Sequence, residues 1–324
     1  MNTLQLNNLV DVSEDRIEIQ FQETTGQAPF TVQCNGSPQA SAAWLQENRQ
    51  KIYSLLQEQG AVLLRGFPID SAEAFEKTFR QFFPDILTYK NRTSPRDEVI
   101  SKIYTSTSHP PDQHINMHTE NSYAGSFNNF LGFFCLLPSE TGGETPIADE
   151  RKIIASIDAK ARTKFENLGV RYVRNTIPGI GLGWRTIYQT EDRQEVEKFL
   201  IENNVQFEWI SDDHLRTRWT LPAFRPHHTT GEKVWFNHMY FGHQSLFDPT
   251  VIEFLGEDNL PFTTFYGDGS VIEDDTIQQF NDAYEKYKIV FRWQKGDLLL
   301  LDNMMYSHGR NPFTGKRTIL VAMA

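Results

Sequence analysis

The chain has 324 residues, room for one large domain or two ordinary ones at roughly 100–200 residues each. Acidic residues outnumber basic ones 42 to 31, a formal charge of −11, which argues against the basic face of a nucleic-acid binder. Only two cysteines are present, Cys34 and Cys135, with no CxxC, so a disulfide scaffold and a cysteine zinc site are both excluded. No run approaches the ~20 apolar residues of a membrane helix. The opening Met1–Asn8 segment lacks the regions of a secretory signal. A cytoplasmic enzyme or a binder of something small is expected, with no nucleic-acid or membrane partner.

In chain order, alternation over Arg16–Phe21 and a return through Phe30–Val32 predict a hairpin. Trp44, Leu45, Ile52, Leu55 and Leu56 share one face of a helix predicted over Ser41–Gln59, stopped by Gly60. Ala61–Phe67 reads as a buried strand. Asp70 and Glu73 read as a capping box for a helix ending before Pro84. Tyr123–Leu137 is apolar and strand-like, Gly142-Gly143 a turn, and Thr145–Ala148 a strand. Helical periodicity over Asp149–Leu168 stops at Gly169, followed by a strand at Val170–Val173. Further helices are expected at Asp192–Asn203 and Asp274–Tyr287, and strands at Val234–Phe236, Leu298–Leu301 and Arg317–Met323.

Strands at both ends with helices between do not match the βαβ alternation of a doubly wound sheet. They predict a mainly β fold with flanking helices: a jelly-roll, or double-stranded β-helix, core carrying helical insertions. No linker or repeat divides the chain, so residues 1–324 are expected to form one elaborated domain, with the hairpin and helix of residues 1–60 packed on the rest. Aromatic residues make up 13% of the chain, which suits a β-rich core, a cavity walled by rings, or both.

Nine histidines are present, and the segment His114-Ile115-Asn116-Met117-His118-Thr119-Glu120 concentrates chemistry. A zincin needs Glu directly after the first His of HExxH, and Ile115 stands there instead. On an extended strand, His118 and Glu120 point to one side. With one distant histidine they would complete a 2-His-1-carboxylate facial triad, the ligand set of non-haem Fe(II) oxygenases. His308 follows the buried run Leu298–Leu301 and is the candidate third ligand. Arg317 opens the next apolar strand, where a lone guanidinium needs an anionic partner and its planar fork suits a carboxylate. Asn91 and Arg92 sit in a polar loop where a lid would lie. Arg310 is either a second anion contact or a surface charge. His227-His228 and Asp212-Asp213 read as solvated loop residues.

The segments HTENSY, GGETPIADER, TGEKVWFNH, FYGDGSVIE and WQKGDLLLLDNMMYSHGRNPFTGKRTILVAMA resemble the TauD/TfdA-type superfamily of Fe(II)/2-oxoglutarate oxygenases, and within it the SyrP-like amino-acid hydroxylases. The likeness runs from about residue 60 to the C-terminus. It implies that His118, Glu120 and His308 hold Fe(II), that Arg317 binds the C5 carboxylate of the co-substrate 2-oxoglutarate, and that Thr145 assists it. It also implies O2 as oxidant and a small-molecule substrate: a polar amino acid or derivative, free or presented by a carrier protein, in natural-product biosynthesis. Glu120 stands where many members carry Asp, and a carboxylate there argues against a halogenase, which has Ala or Gly. His114, Asn116, Asn121, Asn237 and His238 are candidate substrate contacts. Desaturation or cyclisation by the same machinery, and a cupin-like binding protein without oxygen chemistry, are the competing readings. Oligomeric state is not legible.

Overall fold

The computed structural model describes residues 8–10, 17–87, 98–100, 102–106 and 109–324. Arg16, Asn91 and Arg92 lie outside the described residues. Large mixed sheets with flanking helices make up the fold. The main sheet has nine strands in the order Asn8–Val10, Ile17–Gln22, Phe30–Asn35, Ala61–Arg65, Leu298–Asp302, Phe130–Leu137, Thr318–Met323, Ile103–Thr105 and Glu98–Ile100. Strands from both ends of the chain thus meet in its middle. Leu298–Asp302 runs antiparallel to both Ala61–Arg65 and Phe130–Leu137. The predicted hairpin is present and continues this sheet.

Side chains on a strand alternate between faces, and this sheet uses both. On one face Val62, Leu64, Phe130, Phe134, Leu298, Leu300 and Leu320 pack against the helices Pro38–Glu47, Arg49–Gln59 and Ala72–Phe82. On the other, Leu63, Leu131, Phe133, Leu299, Leu301, Ile319 and Val321 pack with Ile147 and Tyr306 of a three-stranded sheet and with Met305 in the turn before it. Burial on both faces explains why the central strands read as unbroken apolar runs. Gly132 permits the helix contact, because a Cβ there would stand 2.6 Å from the Phe79 ring.

The three-stranded sheet has the order Ile147–Asp149, Tyr306–Arg310, Ile115–His118. An inserted four-stranded sheet (Gln206–Trp209, Leu215–Leu221, Val170–Thr176, Phe262–Tyr266) builds a separate core with the helices Ala159–Leu168 and Asp274–Tyr287.

Several boundaries differ from expectation for identifiable reasons. The long helix over Ser41–Gln59 is two helices broken at Asn48, whose φ of −99° and ψ of 11° leave the helical basin. The predicted Asp149–Leu168 helix is likewise two, each started by an aspartate cap, Asp149 and Asp158. Ser71, not Asp70, caps the helix Ala72–Phe82 by accepting from Ala74 N. The strand expected from Tyr123 begins only at Phe130.

Candidate active site

His118 ends the strand Ile115–His118 and pairs in register with His308 on the neighbouring strand Tyr306–Arg310. The ring centroids stand 4.4 Å apart. Glu120 lies past the strand end, in the turn that Asn121 closes with a φ of 56°. The extended i, i+2 geometry expected for His118 and Glu120 is therefore replaced by a turn that still brings the carboxylate back. His308 Nε2 and Glu120 Oε2 are 3.7 Å apart, and the ligand atoms of His118, Glu120 and His308 all lie within 4.8 Å of one another.

The donor set fits a metal ion. His118 Nδ1–H donates to the Asn116 carbonyl at 2.8 Å, which turns the lone pair of Nε2 toward the convergence point. Burial, then the neighbouring His308 and His238 imidazoles, hold His118 well below the ordinary histidine range. A neutral imidazole is the form that ligates. Gly309 allows the two ligand strands to approach, since a Cβ there would meet the Ile115 carbonyl oxygen at 2.7 Å.

Asn303 fixes the Glu120 turn. Its Oδ1 accepts from Glu120 N at 2.8 Å, and its Nδ2 donates to the carbonyls of Glu120 and Asn128 at 2.9 and 2.8 Å. Asn303 itself is fully buried, one residue after Asp302. Asp302 accepts from His227 Nε2 and His228 Nε2, both at 3.0 Å, and from Met304 N. Burial opposes ionisation of Asp302, but these imidazole hydrogen bonds outweigh it and hold the carboxyl below its usual range. His227 is buried, unlike the solvated loop residue expected from sequence, while His228 is exposed and packs its ring edge-on to Phe130. The only sequence signal for this support was the Asp302-Asn303 pair closing a buried strand.

A cavity of about 470 Å³ opens over the cluster, within the usual range for small-molecule sites. At its inner wall Arg317 donates from Nε to the Gly143 carbonyl at 2.8 Å and from Nη2 to Thr145 Oγ1 at 3.3 Å. Trp293 Nε1 also donates to Thr145 Oγ1, at 3.0 Å, which leaves the threonine O–H to donate in turn. Burial and then the nearby Arg310 guanidinium push Arg317 down to about 10. A partly desolvated cation beside another cation favours an anion in the cavity. Arg310 is buried and donates to the carbonyls of His109, Pro110 and Gln113, so it pins the cavity rim and is no surface charge.

Of the expected substrate contacts, His114, Asn116 and His238 line the cavity, with His114 at its exposed rim. Asn121 and Asn237 do not. Asn121 bonds to Asn128 and accepts from Tyr123. Asn237 donates to the Ala223 carbonyl and accepts from Met239 N. Both are turn residues whose amides satisfy local backbone and side chains, a common role for Asn. Burial pushes His238 down to about 4, against the opposing pull of Glu120. Tyr123 and Phe133 line the cavity, while Phe130 and Phe134 pack on the helix-covered face. Phe241 and Phe247, not singled out from sequence, complete the ring wall.

Residues 22–323 match the family model described as "Taurine catabolism dioxygenase TauD, TfdA family". The chain belongs to this family. It is 36% identical over 276 residues to the dapdiamide synthesis protein DdaC of Enterobacter agglomerans, covering 84% of each chain. It is 32% identical over 286 residues to a clavaminate synthase-like protein of Arabidopsis thaliana, covering 85% of this chain and 84% of that one. Among solved structures, the fold is similar to PvcB of Pseudomonas aeruginosa, with a TM-score of 0.54 at 14% identity over 98% of this chain and 94% of that one. An asparagine oxygenase in complex with Fe(II), hydroxyasparagine and succinate matches with a TM-score of 0.54 at 12% identity, over 89% and 82%. Membership in a dioxygenase family makes the chain an enzyme of oxidative chemistry. Among the described residues, no helix is long and apolar enough to cross a membrane.

Proposed function

We propose that this chain is an Fe(II)/2-oxoglutarate-dependent oxygenase that hydroxylates an unactivated C–H bond of a polar amino acid or amino-acid derivative. The observation that carries the reading is the convergence of His118, Glu120 and His308 in one cavity with Arg317 and Thr145. The overall reaction balances as R–H + 2-oxoglutarate + O2 giving R–OH + succinate + CO2. Iron held by His118, Glu120 and His308 would supply O2 activation. Arg317 and the Thr145 hydroxyl hold the far carboxylate of 2-oxoglutarate, fixing its length against the metal end. Tyr123, Phe133 and Phe241 exclude water, and the substrate's position against the triad selects the C–H attacked.

The relatives named for dapdiamide synthesis and asparagine oxygenation support an amino-acid substrate and a role in natural-product biosynthesis. In this reading the two main sheets form a double-stranded β-helix, residues 1–324 act as one domain, and the enzyme works in the cytoplasm, where its two buried free cysteines stay reduced. Incubation with Fe(II), 2-oxoglutarate, O2 and a panel of free and carrier-tethered amino acids tests it. Succinate release coupled to gain of one oxygen in an amino acid is expected. Turnover of sulfonates or aryloxy acids alone would contradict it.

A further inference from the structure

Arg174 lies in the strand Val170–Thr176, between Leu215–Leu221 and Phe262–Tyr266, with Thr217 and Phe262 as register partners. Its neighbours on this sheet bond in ordinary ways. Arg171 donates to the Gly267 carbonyl, and Arg216 donates to Asn175 Oδ1 and the Asp258 carbonyl. Arg174 is different. It is 8% exposed, and its Nη2 is buried with no hydrogen-bond partner. Among the described residues no carboxylate pairs with it. Its guanidinium carbon instead sits 5.4, 5.6 and 5.4 Å from the ring centroids of Tyr123, Trp219 and Phe262. Aromatic faces orient a guanidinium but do not satisfy its N–H donors.

Arg174 lines a second cavity of about 140 Å³, together with Ile180, Leu182, Pro261, His238 and Phe241 among others. His238 and Phe241 also line the larger cavity. The His238 ring stands 5.6 Å from that of His118 and 5.1 Å from that of Tyr123, which touches Arg174 in turn. His238 and Phe241 therefore stand between the two voids, with the His118, Glu120 and His308 cluster and Arg317 on one side and the buried Arg174 guanidinium on the other. Arg317 is already placed for the co-substrate, so a second anion is needed for Arg174. The smaller void holds a carboxylate and a few carbons.

We propose that Arg174 anchors a free carboxylate of the primary substrate in this second cavity, so that the substrate is an acid not tethered to a carrier through that carboxyl. This rests on the oxygenase reading above and narrows its substrate class. A thioester or amide at that end lacks the anion and leaves the guanidinium unpaired.

The test is calorimetry on the full chain loaded with Mn(II) and 2-oxoglutarate, which permits binding without turnover. The probes are free and N-acetyl amino acids and simple monocarboxylates, each beside its primary amide and its N-acetylcysteamine thioester. At least one acid is expected to bind about 10-fold or more tighter than its amide and thioester. Arg174→Gln is expected to abolish that preference with 2-oxoglutarate affinity unchanged, and Arg174→Lys to keep part of it. No acid preference anywhere in the panel, tighter binding of the thioester, or a preference that survives Arg174→Gln would each overturn the proposal. If Arg174→Gln does not fold, the acid-to-amide ratio of the natural chain decides alone, with a ratio near one overturning it. Simple carboxylates bound through Arg174 while no amino acid binds would keep the anion subsite and overturn the amino-acid reading instead.

Discussion

At the scale of single residues, the triad depends on a side chain that ligates nothing. Asn303 satisfies the Glu120 N–H, the Glu120 carbonyl and the Asn128 carbonyl, all inside the protein. Asn303→Ala leaves those groups unpaired at a cost of about 2–4 kcal/mol, read as a lower denaturation midpoint. It should also weaken Fe(II) binding about 10- to 100-fold, because the carboxylate ligand loses its fixed turn. A variant of normal stability and normal iron affinity would remove Asn303 from the account. Arg317→Gln should raise the 2-oxoglutarate dissociation constant roughly 10- to 100-fold, and Thr145→Val about 3- to 10-fold. Both are read by titration under anaerobic conditions. His118, Glu120, His308 and Arg317 were singled out in the sequence from the His-x-Glu spacing, an arginine at the opening of an apolar strand and the family resemblance, and the fold brings them to one cavity. Asn303, Arg174 and the His227–His228–Asp302 cluster were not. Their meaning lies in partners 74 to 183 residues away or in the lack of any partner, which spacing along one strand does not encode.

At the scale of elements, the site is a strand pair brought close by a missing side chain. Gly309 separates His308 from Arg310 at a register shift, and its hydrogen stands where a Cβ would meet the Ile115 carbonyl. Gly309→Ala should push the His308 strand from the His118 strand and weaken iron binding about 10-fold, with the circular dichroism of the fold retained. The helix Glu150–Ser156 offers a pH test. Glu150 is buried, accepts from Tyr284 at 2.9 Å, and has its second oxygen unpaired. Burial raises its carboxyl from 4.5 to about 7, against the opposing pull of the nearby Ser307 and Tyr284 hydroxyls. The folded chain therefore holds this proton more tightly than the unfolded one. Its contribution is present below about pH 4.5 and is lost as pH rises through 7, on the order of 3 kcal/mol. Glu150→Gln should flatten the decline of melting temperature between pH 5 and 8, and a variant with the parent's slope would contradict this. The capped helices and central strands were readable because periodicity and caps are local. The breaks at Asn48 and Ser156–Asp158 were not, because apolar periodicity continues across them.

At the scale of the whole molecule, chain ends and middle combine to make one cavity. Leu298–Asp302 and Thr318–Met323 flank Phe130–Leu137 in the main sheet, so the strand before His308 and the strand after Arg317 are fixed by the same core. The inserted four-stranded sheet supplies the wall that includes Arg174. The acidic balance does not extend to the two cavities, which Arg310, Arg317 and Arg174 line. The central claim is that the triad and Arg317 form one iron and 2-oxoglutarate centre. Its most direct test is visible absorption during anaerobic addition of Fe(II) and then 2-oxoglutarate. One equivalent of iron per chain is expected, with a weak charge-transfer band that requires both components and disappears in His308→Ala. Iron and 2-oxoglutarate both binding to the natural chain without that band would contradict the account.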